Sequence, residues 1–65
     1  MKLIVYSNDY FFTEKICATV TVEYEYQAEI WVEEIEKDYP TAVRIAAPDL
    51  NREWIRNKNG KFQEK

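Results

Sequence analysis

KICATVTVE (residues 15–23) runs directly into YEYQAEIWVEEIEKDYP (residues 24–40), and the hydrophobic period changes where the two meet. In the first stretch Ile16, Ala18, Val20 and Val22 alternate with Cys17, Thr19, Thr21 and Glu23. A period of two built from β-branched residues is the pattern of a half-buried strand. In the second, the apolar residues are Tyr24, Ala28, Trp31, Val32, Ile35 and Tyr39. At ~100° per residue these six lie within an arc of roughly 100°, which is one face of an amphipathic helix. The helix is predicted over 24–38. Pro40 ends it, because the residue before a proline is pushed out of the helical region. No Ser, Thr, Asp or Asn stands just before its start, so its first turn carries no cap signal.

Working outward, Leu3 to Tyr6 reads as a short apolar strand. Ser7-Asn8-Asp9 then opens a loop to Glu14 that carries Tyr10, Phe11 and Phe12. Beyond the helix, residues 41–47 read as a third strand and Pro48 to Asn51 as a turn. Arg52 to Lys58 reads as a fourth strand, in preference to a helix over 49–58 capped by Asp49. Asn59-Gly60 is a hairpin signal, since both residues accept positive φ. Residues 61–63 would return as a fifth, short strand. The order is ββαββ in one domain, residues 1–65. The fold class is α+β: an antiparallel sheet of four or five strands with one amphipathic helix packed on one face.

A 65-residue chain buries only ~60% of its unfolded surface and needs a staple. Cys17 is the only cysteine, so an internal disulfide is excluded, and there is no histidine. Neither a zinc site nor any other metal or cofactor is expected. Cys17 itself is expected to be a buried structural residue, as free cysteines usually are. That leaves a dense core and self-association as staples. Ten aromatic residues exceed what one helix on a small sheet can cover, so a homodimer is the economical arrangement. The apolar run at Leu3 to Tyr6 is too short for a signal peptide or a membrane span, and the lone thiol suits a reducing cytoplasm.

Catalytic means are hard to find. Without histidine the commonest general base and every His-based triad are missing. The single glycine, Gly60, sits in the hairpin turn, so there is no phosphate-cradling loop. Cys17 has no neighbour to lower its pKa. A carboxylate pair would need a cleft that one helix and one sheet do not build. No catalytic residue is assigned, and binding is the expected work.

Three constellations could bind. Residues 23–43 hold seven acidic residues against one lysine, whereas residues 44–65 hold six basic against three acidic. Glu25, Glu29, Glu33 and Glu36 form an acidic row along the helix, beside its apolar face. Such a row suits a protein partner with a basic surface. The aromatic loop Tyr10, Phe11 and Phe12 could anchor a partner or close the core. Arg52, Trp54, Arg56 and Lys58 alternate on one strand face and could take phosphates and stacked bases, unless Trp54 belongs to the core and the basic residues are ordinary surface. The overall net charge of −3 makes nucleic acid the weaker of the two partners.

In size and charge, though in no motif, the chain resembles small proteins of phages and mobile elements that inhibit host machinery stoichiometrically, anti-CRISPR proteins among them. The resemblance implies an inhibitor of a basic, nucleic-acid-handling host protein. The acidic helix is the leading interface, the basic hairpin the alternative, and a structural subunit of a homo-oligomer the third reading.

Overall fold

A computed structural model describes residues 1–8 and 13–65. The elements follow in the order β1 (Lys2–Asn8), β2 (Glu14–Thr21), α1 (Glu25–Asp38), β3 (Ala42–Ala47), a 3-10 turn (Pro48–Leu50), β4 (Arg52–Arg56) and β5 (Phe62–Glu64). The five strands form one antiparallel sheet in the order β2-β1-β3-β4-β5. This is the α+β architecture expected from the change of period, with the fifth strand present. Because β2 and β3 both run antiparallel to β1, α1 carries the chain across β1 from one to the other.

The core lies between α1 and one face of the sheet. Leu3 and Val5 of β1, Ile45 of β3 and Trp54 of β4 meet Ala28, Val32 and Ile35 of the helix there. Cross-strand pairing explains why: Val5 opposes Ile45 and Ile45 opposes Trp54, which puts all three side chains on one face. Trp54 is 4% exposed and belongs to this core.

The helix packs by a narrower stripe than its apolar pattern suggests. Only Ala28, Val32 and Ile35 are buried, while Tyr24, Trp31 and Tyr39 are exposed. Its start is fixed without a short polar cap. The Gln27 side-chain oxygen accepts hydrogen bonds from the backbone N–H groups of Glu23 (2.8 Å) and Tyr24 (3.0 Å). That is the reach-back half of a capping box, supplied by the third helical residue.

Two local expectations are corrected. Cys17 is exposed, not buried. It is the extra residue of a β-bulge: Ala18 opposes Val5, Ile16 opposes Tyr6, and Cys17 has no counterpart on β1. The bulge also flips the parity of the strand. Ile16 moves to the face away from the helix and is 61% exposed, although the period placed it with Val20 and Val22.

The second correction concerns Asn59-Gly60. Gly60 has φ 83°, but Asn59 does not enter the positive-φ region. Gly60 N–H donates to Asn57 O (3.0 Å), and Asn57 N–H to Lys61 O (2.8 Å). This is a three-residue loop closed by a left-handed glycine, one residue longer than the expected two-residue turn. Asn57 holds it, its Oδ1 accepting from Asn59 N–H (2.9 Å) and Lys61 N–H (3.0 Å).

Candidate functional site

The acidic helix and the basic strand, read from the sequence as two separate surfaces, face each other. Arg52, Trp54 and Arg56 share the face of β4 that looks at α1, with Trp54 in the core between the two arginines. Arg52 lies over the Trp54 ring, its guanidinium carbon 4.8 Å from the centroid. Its nitrogens reach Glu29 (3.0 Å) and Glu25 (3.5 Å) on the first turns of α1. They also grip both carboxylate oxygens of Glu64 on β5. Bidentate pairing of this kind is what the planar guanidinium fork favours.

Arg56 works at the other end of the helix. It donates to Pro40 O (2.8 Å) and Glu36 O (3.0 Å), carbonyls at and beyond the last turn of α1. The Glu36 carbonyl lacks an intrahelical partner and lies at the negative end of the helix dipole. Arg56 also stacks on Phe62 of β5, 4.6 Å from the ring centre, and its buried Nε finds no acceptor among the described residues. Glu36 returns the contact, accepting from Phe62 N–H (2.9 Å) and pairing with Lys61 (3.1 Å).

These contacts shift protonation. The Phe62 N–H, with Lys61 beside it, holds the Glu36 carboxyl below its ordinary value. Arg52 does the same to Glu64, and Arg44 to Glu53. Arg44 and Arg52 are in turn held more firmly protonated, first by Glu14 and Glu64 respectively.

The predicted acidic row is therefore mostly engaged within the chain. Glu25, Glu29 and Glu36 are tied to β4, β5 and the hairpin. Glu33 alone of the four points away, and it makes no ion pair among the described residues. Its neighbours on the outer surface, Glu34 and Asp38, are likewise unpaired there. Lys58 of the predicted basic strip is exposed in the hairpin loop. Tyr10, Phe11 and Phe12 lie outside the described residues.

The outer surface of α1 carries the two residues that helical spacing places away from the apolar face. Tyr26 is 64% exposed and Ile30, one turn on, 55%. Tyr26 stacks with Tyr24 at 5.9 Å between ring centres. With Glu33 and Glu34, Tyr26 and Ile30 fall within an arc of roughly 100° at helical spacing. The signal was present in the sequence, as an isoleucine and a tyrosine off the apolar face. It is an exposed apolar pair flanked by carboxylates that have no ion-pair partner among the described residues.

An open depression of about 240 Å³ is lined by Ala46, Pro48, Asn51, Arg52, Glu53 and Lys65. That is below the usual range for ligand pockets, ~300–1,000 Å³, and its charged groups are paired with one another or with Glu64. Among the described residues no group of three or more His, Cys, Asp or Glu is placed to hold a metal ion. No helix there is long and apolar enough to cross a membrane. Comparison with protein-family models, curated proteins and solved structures gives no match for this chain.

Proposed function

We propose that the protein is a non-enzymatic binding module that docks onto a basic protein surface through the outer face of α1, using Tyr26, Ile30, Glu33 and Glu34. The observation that carries this reading is the division of labour on the helix. Its inner-edge carboxylates are neutralised by Arg52, Lys61 and the Phe62 N–H, so they serve the fold. The outer carboxylates have no such partner among the described residues. Exposed tyrosine and isoleucine beside them supply the apolar anchors that dominate interface energetics, and the carboxylates supply complementarity to lysine and arginine. Stoichiometric inhibition of a protein that handles nucleic acid fits the same surface, since carboxylates can occupy a groove built for phosphate oxygens. The nucleic-acid alternative loses its motivation, because Trp54 is buried and Arg52 and Arg56 are engaged with the helix.

The test is affinity capture from native-host lysate with two baits, wild type and Glu33→Lys/Glu34→Lys, compared by quantitative mass spectrometry. Basic proteins retained by the wild type should drop at least ten-fold on the double variant. The same proteins recovered equally on both baits would remove the outer helix face as the interface. These two substitutions replace the pair Glu29 and Glu33 that the acidic row alone suggests, because Glu29 is bound to Arg52.

A further inference from the structure

The face of the sheet turned away from α1 has a pattern of its own. Cross-strand pairing sets two rows on it. One reads Ile16, Tyr6, Arg44, Ile55 and Gln63 from β2 to β5, and the next reads Thr19, Ile4, Ala46 and Glu53. Ile16 is largely exposed and Ile55 is 39% exposed, while Ile4, Tyr6 and Ala46 are half-buried. The polar groups in the middle cancel. Arg44 lies 4.0 Å above the Tyr6 ring and pairs with Glu14 (2.9 Å) and Glu53 (2.8 Å). Lys65 reaches the other oxygen of Glu53 at 3.6 Å. Two cations thus meet two carboxylates, and the centre of the face carries no net charge.

We propose that this face packs against the same face of a second copy of the chain, so that two five-stranded sheets stack with the helices outside. Three observations select that occupant. First, a surface whose central charges are already paired, with only Lys2 at its margin unpaired among the described residues, is compatible with its own copy, as a two-fold interface requires. The outer face of α1 would instead set Glu33 and Glu34 against themselves. Second, sheets stack at ~10 Å and a helix layer adds about as much on each side. The two acidic helices then stand ~30 Å apart, several times the ~8 Å Debye length. Third, the whole sheet face to which the two rows belong is roughly 20 Å on a side by strand spacing and residue rise. Two copies then bury on the order of 1,000 Å², at the lower limit for a specific association. The dimer is accordingly expected to be weak and concentration-dependent. It is independent of the proposed helix interface, which it leaves open on both copies.

Sedimentation equilibrium over a concentration series, from micromolar to near-millimolar, tests the proposal. The wild type should rise from the 7.8 kDa of one chain towards twice that mass. Ile16→Lys/Ile55→Lys, at two exposed positions, should stay at the mass of one chain throughout, with unchanged far-ultraviolet circular dichroism. Ile30→Lys on the helix should behave as the wild type. If the double variant loses its fold, the two single substitutions take its place: a monomer from either supports the proposal, and dimers from both overturn it. A wild type that stays monomeric across the series overturns it. So does a dimer that survives Ile16→Lys/Ile55→Lys or is dissociated by Ile30→Lys.

Discussion

Trp54 and Cys17 show how neighbours decide what a residue does. Trp54 alternates with two arginines, which reads as a base-stacking strip, yet its ring is buried and Arg52 lies over its face. Removing it should cost ~3–5 kcal/mol, the usual loss for a large buried aromatic. For a domain this small that is a large share of its total stability. Trp54→Ala is expected to show little or no cooperative thermal unfolding. Cys17 is the opposite case. Burial is the usual state of a free cysteine, but the bulge turns it out to solvent. The native protein should react with a thiol reagent at one site per chain without denaturant. Cys17→Ser should change stability by no more than ~0.5 kcal/mol. A thiol that reacts only after unfolding would contradict the exposed position. The placement of Cys17 was not legible residue by residue, whereas burial is the common state of a large aromatic such as Trp54. A bulge inserts one residue without a composition signal, and the burial of Trp54 depends on the helix lying over β4.

At the level of elements, what could be read from the sequence was periodicity. The switch from period two to period 3.6 at Tyr24 located β2 and α1 to within two residues, and Pro40 located the helix end. Pairing between elements was not legible, because nothing in Glu25, Glu29 or Glu36 says that Arg52, Lys61 and Phe62 lie opposite. Hence a row of four carboxylates that looks unpaired along the sequence has three of its members engaged in the fold. These pairs make the element contacts pH-dependent. Glu36, Glu53 and Glu64 titrate below the ordinary 4.5 in the folded chain. Below both the folded and unfolded values the stabilisation is gone, and above 4.5 it is fully present. Stability should therefore be level near neutrality and fall as acid is added below about pH 5. Thermal melts across that window should show a shallower fall for Glu36→Gln than for wild type. Parallel curves for the two proteins would mean that the Glu36 contacts add nothing to folding.

For the whole molecule, the charge asymmetry along the chain becomes a way of holding it together. The acidic middle folds over the basic end, and Arg52 and Arg56 clamp α1 near its two ends. What remains outside is an apolar, acidic helix surface and a neutral sheet face. The proposed function depends on this clamp, since it decides which carboxylates are left for a partner. If Arg52 were not engaged, the basic strip would be free and the nucleic-acid reading would return. Urea unfolding of wild type, Arg52→Glu and Arg52→Glu/Glu64→Arg tests it most directly. Arg52→Glu sets a carboxylate against Glu25, Glu29 and Glu64 and should cost roughly 2 kcal/mol. The second substitution restores one opposite charge and should recover part of that loss. An unchanged unfolding midpoint in Arg52→Glu, or no recovery in the swapped pair, would contradict the clamp.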